Sequence, residues 1–235
     1  MAYPIKHELT VLTAIRTLKL YLRHPFLAAR SERREWGRYR ALKKMERAGL
    51  AQMYDTAHFP VGAYAPDWAD LWNIYTLVKQ RRPNVIVECG AGCSTLMFAA
   101  AIRDGGFPCE FWSFDESPYW IDKLKGYMPD DLKRLVRLEH RDSIVVPMHG
   151  RSAASFANLP SIRPNFVYVD GPLASGAAPV VGTGLHFAEG APDDYFILVD
   201  GLGKTFRFYR EVLGDRYRYR ENYLHHYRAA EKIAS

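Results

Sequence analysis

The sequence predicts an α/β domain built on a mostly parallel sheet, preceded by a basic helical extension. Three observations carry this. Val85-Ile86-Val87 is an apolar, β-branched run, followed by Glu88-Cys89-Gly90-Ala91-Gly92-Cys93 and then an alanine-rich segment to Asp104. That pattern reads as a strand buried on both faces, a glycine turn and a helix. Three later apolar runs also end in an acid, at Asp115, Asp170 and Asp200. Four acid-terminated strands are hard to explain as packing, because carboxylates are rarely buried unless paired. The formal charge of +6 divides into +8 for residues 1–50 and −2 for the remainder, so the basicity belongs to an N-terminal arm.

The 235 residues suit one α/β domain with an appendage. We divide them into an extension over 1–58 and a main domain over 59–235. Within the extension, Val11, Ile15, Leu18 and Leu22 share one helical face over residues 6–29, and His24-Pro25 ends or kinks that helix. A second helix is expected over 31–48, capped by Ser31 and stopped by Gly49. The basic arm is open to two readings: a contact with an acidic membrane surface, or a helical extension packed on the core or on a second copy in a homo-dimer. Residues 58–66 form a turn-rich linker, and 67–79 a helix with Trp68, Leu71, Tyr75 and Val78 on one face.

A second strand over 111–114 ends in Asp115, 27 residues after Glu88. A βαβ unit of that length delivers an acid beside the glycine turn, where it can bond two ribose hydroxyls. Ser117-Pro118 opens the next helix as N-cap and first residue. Leu135–Glu139 reads as a third strand, followed by His140-Arg141-Asp142-Ser143. Phe166–Val169 is a buried strand whose C-terminal turn is Asp170-Gly171-Pro172. Ligands of open parallel sheets sit outside the carboxyl ends of the strands, so Asp170 is placed for chemistry by topology. Residues 174–194 then carry four glycines and His186, and read as a lid or acceptor loop. A strand over 195–199, a helix over 204–213 and two closing strands finish the chain. The Arg216–Arg220 alternation of arginine and tyrosine reads as a solvated edge hairpin, with no specific nucleic-acid partner expected.

The ligand of the glycine turn follows by comparing fingerprints. Thr95 stands where a dinucleotide fold needs its third glycine, and no lysine follows Gly92 as a P-loop requires. What remains, E-x-G-x-G-x-S-T after a hydrophobic strand, resembles motif I of the class I S-adenosylmethionine-dependent methyltransferases. The VDGP turn resembles the fourth-strand motif of the small-molecule and sugar O-methyltransferases. This resemblance implies a Rossmann-like three-layer sandwich with a mostly parallel seven-stranded sheet closed by an antiparallel hairpin. It implies S-adenosylmethionine as cofactor, held by Glu88, Gly90, Gly92, Ser94, Asp115 and Asp142, with Asp142 on the adenine edge. Asp170 and His186 are the expected base or acceptor-orienting groups for a hydroxylated small molecule or glycan. Catechol-type relatives also bind a divalent metal through acids of the two late strands. Asp170 and Asp200 fit that pattern, but Gly201 stands where a further ligand would follow, so a metal is not the favoured expectation.

Two other classes stay open at this point: an NAD-dependent oxidoreductase, and a non-catalytic module of the same fold recruited by the basic arm. No apolar run approaches the roughly 18 residues of a membrane span, and charged residues interrupt the N-terminus where a secretory signal needs an apolar core. Cys89, Cys93 and Cys109 form no zinc set. They read as free thiols of a cytoplasmic protein, possible peripheral membrane contact resting on the arm alone.

Overall fold

The computed structural model describes residues 25–54, 67–222 and 227–233. The expected helix over 6–29 and the linker over 58–66 lie largely outside them. In chain order the elements are α1 (Pro25–Arg47), a 3₁₀ turn (Ala51–Met53), α2 (Trp68–Arg81), β1 (Val85–Cys89) and α3 (Cys93–Gly105). Next come β2 (Glu110–Asp115), α4 (Pro118–Tyr127), α5 (Asp130–Lys133), β3 (Arg137–His140), β4 (Ser143–Met148) and β5 (Arg151–Phe156). The chain closes with β6 (Phe166–Val169), β7 (Val180–Val181), α6 (Thr183–Ala188), β8 (Phe196–Asp200), α7 (Gly203–Leu213), β9 (Tyr217–Asn222) and β10 (Tyr227–Lys232).

The main sheet has seven strands in the order β3-β2-β1-β6-β8-β10-β9. The first five run parallel, and β10 is antiparallel to both β8 and β9. The expected α/β architecture with its closing hairpin is therefore present. Strand order reverses between β1 and β6, which makes their carboxyl ends the switch point where an open sheet binds ligand. Each face carries its own apolar core. Ile86, Phe98, Phe111, Phe166 and Leu198 pack on one side with α2 and α3, and Val87, Phe114, Val167, Ile197 and Phe206 pack on the other. The strands are apolar on both faces because both are covered.

Local capping follows the side-chain chemistry. Asp67 caps α2 by accepting from the Ala69 amide at 3.0 Å, and Ser117 caps α4 by accepting from the Trp120 amide at 3.2 Å. Gly49 adopts a φ of 70°, just beyond the end of α1. Met45 and Leu50 are fully buried in the first core, so the end of the extension packs onto the domain.

Three expectations need correction. Ser31 does not cap a helix: α1 starts at Pro25 and runs through it, because proline is favoured in a first turn and a mid-helix serine is tolerated. Residues 143–156 fold as a hairpin absent from the sequence reading. It turns at His149-Gly150, both at positive φ (48° and 74°), and joins β7 in a second, three-stranded sheet. Residues 174–194 are not one long lid. Gly182 donates to the Ala154 carbonyl at 2.7 Å, and the Tyr195 hydroxyl donates to the Gly184 carbonyl at 2.8 Å, which pins β7 and α6 to the body.

Candidate active site

The site is built around the turn after β1. The pleat turns Glu88 to the same face as Ile86, beneath the amino end of α3, and leaves it with no exposed surface. Three hydroxyls donate to its carboxylate there: Ser94, Thr95 at 2.6 Å and Ser113 at 2.6 Å. Ser113 is the register neighbour of Glu88 on β2. Desolvation raises the Glu88 carboxyl to about 7, opposed by these three donors. Glu88 and Ser94, expected to line the ligand pocket, are committed to each other under the turn.

Thr95 explains the departure from a dinucleotide fingerprint. Its Oγ1 accepts from the Gly92 amide at 2.9 Å and donates to Glu88, so it pegs the turn to the sheet. Hydroxyls therefore secure the helix start from inside its first turn, and the N-cap itself is Gly92. Two aromatics complete the support. Trp120 Nε1 donates to the Ala91 carbonyl at 2.6 Å, and the buried Tyr54 hydroxyl donates to the Cys93 carbonyl at 2.7 Å. Neither tether is visible in the sequence, since each depends on a long-range contact. The only advance signal is that Trp and Tyr carry a donor that needs a partner when buried.

The two glycines of the turn do different work. Gly90 has a φ of 99°, and a Cβ there would lie 3.1 Å from the Asp170 carbonyl carbon and the Gly171 nitrogen. Both are backbone atoms that cannot swing away. Gly171 mirrors it, since its Cβ would lie 3.1 Å from the Gly90 Cα. Around Gly92 a Cβ would meet nothing within 4 Å, and its φ of 179° is ordinary extended backbone. Gly90→Ala is therefore expected to cost roughly 2–4 kcal/mol of stability in urea unfolding, through strain and overpacking. Gly92→Ala should fold like the wild type; an equal loss in both variants would refute this division.

Asp115 ends β2 and reaches the turn. It accepts from the Ala91 amide at 3.1 Å and the Ser117 amide at 2.8 Å. Desolvation raises its pKa against those two donors. Asp170 lies at the end of β6, with part of its surface open to solvent. Burial first, then the negative charges of Asp200, Glu88 and Asp115, push its carboxyl up to about 8. The open side tempers that rise without changing its sign. Among the described residues no group donates a hydrogen bond to the Asp170 carboxylate. Asp200 ends β8 and accepts from the Tyr168 hydroxyl at 2.8 Å.

The remaining predicted residues lie further out. Asp142 follows β3 on the same rim, 82% exposed, with His140 Nε2 at 3.6 Å. His186 is exposed on α6, its ring edge-on to Phe187. That helix is bonded through Gly184 to Tyr195, just before the amino end of β8. Asp170 and Asp200, the acids of that metal pattern, end the neighbouring strands β6 and β8, and the Tyr168 hydroxyl engages one Asp200 oxygen. Among the described residues no group of three His, Cys, Asp or Glu is arranged to hold a metal ion. No helix among them is long and apolar enough to cross a membrane.

No family model and no curated protein matches the chain by sequence. Solved structures do match it. A candidate caffeoyl-CoA O-methyltransferase from Staphylococcus aureus aligns with a TM-score of 0.54 at 11% identity, over 83% of this chain and 98% of that one. A methyltransferase from Geobacter sulfurreducens aligns at 0.51 and 13%, over 79% and 88% of the two chains. The Podospora anserina methyltransferase PaMTH1, solved with S-adenosylhomocysteine, aligns at 0.50 and 15%, over 99% and 98%. With its strand order, glycine turn and acid-tipped rim, the chain has the Rossmann-like fold of the class I S-adenosylmethionine-dependent methyltransferases.

Proposed function

We propose that the protein transfers a methyl group from S-adenosylmethionine to a hydroxyl oxygen of a small molecule or glycan. One observation carries the reading. At the switch point, a glycine turn with open space over Gly92 meets the acids Asp115, Asp170 and Asp200 at neighbouring strand ends. Such a trough suits a ligand that is cationic at one end and a ribose at the other. The O-methyltransferase among the structural relatives agrees with an oxygen acceptor.

Backbone of Gly90, Ala91 and Gly92 would hold the amino acid end of the cofactor, and Asp115 the ribose hydroxyls with the oxygen lone pairs its two amides leave over. Asp142 would meet the adenine edge. Glu88, Ser94, Thr95 and Ser113 act one layer below, holding the turn in shape. When bound, the cofactor supplies an already activated methyl group, so the chain's own contribution is positioning, water exclusion and management of one proton. Asp170 is the group for that proton. Among the described residues no neighbour donates to its carboxylate, and a base whose pKa sits near working pH accepts a proton most effectively.

Titration calorimetry with S-adenosylhomocysteine tests the assignment. The wild type should bind it and show no heat with NAD. Asp115→Asn, which keeps the shape of the side chain, should weaken binding about 10- to 100-fold by removing charge-assisted hydrogen bonds. Absence of heat with the wild type, or unchanged affinity in the variant, removes the cofactor assignment.

A further inference from the structure

The rim beside Asp170 and Asp200 opens into a cavity of about 580 Å³. One wall is the loop after β6, including Ser175 and Pro179, and the other is the segment from Gly201 to Thr205 that leads into α7. Asp200 directly precedes this wall, and Asp170 lies two residues before Pro172, where the opposite loop begins. Its two walls are thus the segments into which the chain runs from Asp170 and from Asp200.

The wall that follows Asp200 also carries a positive charge. Lys204 lines it and is exposed. Among the described residues no carboxylate lies within ion-pair distance of its ammonium. Behind it, the Arg228 guanidinium reaches over Gly203, 3.6–3.8 Å from where a Cβ on that glycine would sit. Arg228 Nε meets Glu221 at 3.4 Å, so its charge is shared with that wall. Leu202 is the one large apolar side chain of the lining, and the walls are otherwise small residues, proline, Thr205 and Lys204. An acceptor held mainly by apolar burial would meet little surface here.

We infer that the acceptor is a hydroxylated oxyanion, its hydroxyl at Asp170 and its carboxylate, sulfate or phosphate at Lys204. This rests on the methyl-transfer reading and adds the acceptor's charge to it. Asp170 and Asp200 would repel such an anion and Lys204 attract it, so these charges also set which way round it lies. The oxyanion points away from the acids and towards Lys204, which leaves the neutral hydroxyl at the carboxylate able to accept its proton.

The test uses the full chain loaded with S-adenosylhomocysteine and three matched pairs of ligands. Each pair is a hydroxy acid and its neutral primary amide: 3,4-dihydroxybenzoate and its amide, glucuronate and glucuronamide, glycerate and glyceramide. In at least one pair the acid should bind about tenfold or more tightly than the amide by calorimetry. Lys204→Gln should abolish that preference, Lys204→Arg should keep it, and neither should alter S-adenosylhomocysteine affinity. No preference in any pair, including no binding at all, overturns the inference, as does a preference that survives Lys204→Gln. If the cofactor product itself fails to bind, the methyl-transfer reading falls and takes this one with it, and that result is read in the loading step before any acceptor is added.

Discussion

Asp170→Asn is expected to lower the rate of methyl transfer about 10²- to 10⁴-fold, the range for loss of a general base, while S-adenosylhomocysteine still binds. The amide keeps the shape of the carboxylate but cannot accept a proton. The check is single-turnover transfer of labelled methyl to a panel of catechols, hydroxy acids and glycosides; a variant within about threefold of wild type would exclude Asp170 as the base. The same substitution has a signature that needs no acceptor. Asp170 is held up to about 8 by burial and by Asp200, Glu88 and Asp115, so at lower pH it is protonated and neutral. A sulfonium beside it favours the ionised form. Affinity for S-adenosylmethionine relative to S-adenosylhomocysteine should therefore rise between about pH 6 and pH 9 as that proton is shed. In Asp170→Asn the ratio should be flatter across the range.

Glu88→Ala is expected to destabilise the fold by roughly 3–5 kcal/mol, a large share of the roughly 5–15 kcal/mol typical of a domain. The substitution leaves Ser94, Thr95 and Ser113 in the interior without their common acceptor. Urea unfolding measures it, and a loss below about 1 kcal/mol would show that the three hydroxyls find other partners. Glu88→Gln separates charge from hydrogen bonding. Glu88 is raised to about 7 in the folded chain from an ordinary 4.5. Folding therefore takes up a proton between those values, and wild-type stability should increase as pH falls through that window and decrease as it rises. The glutamine variant should lack this slope.

How much of this was legible in the sequence depended on whether the signal was local. The strand–turn–helix at 85–105 and the acids at 115, 170 and 200 are written in contiguous residues, and the sheet is assembled from them as expected. The direction of Glu88 was legible too, by parity: a residue two after the buried Ile86 shares its face, so it points into the core and not into the pocket. The hairpin over 143–156 was harder. Ile144 and Val145 are both exposed and Pro147 interrupts the strand, so no clean alternation marks it, and its turn uses His149 where asparagine or aspartate is the usual signal. The glycine-rich surroundings of His186 fold as β7 and α6 and not as an open loop. Gly184 is glycine not for mobility but because Tyr209 packs against it, with a Cβ there only 2.7 Å from the hydroxyl. Trp120 and Tyr54 steady the turn from elements 29 and 39 residues away, a distance over which no spacing rule reaches.

Where Gly90 and Gly171 press against each other, main chain touches main chain with no side chain between. The span from the glycine turn to Asp170 is therefore set by the skeleton, and mutation of surrounding side chains has little purchase on it. Ser175 and Lys204, on the cavity walls, are exempt from that contact. On the proposed reading, a descendant of this chain could change its acceptor by altering them and inherit the reaction geometry intact. A change at the glycine contact would forfeit the chemistry for every acceptor at once.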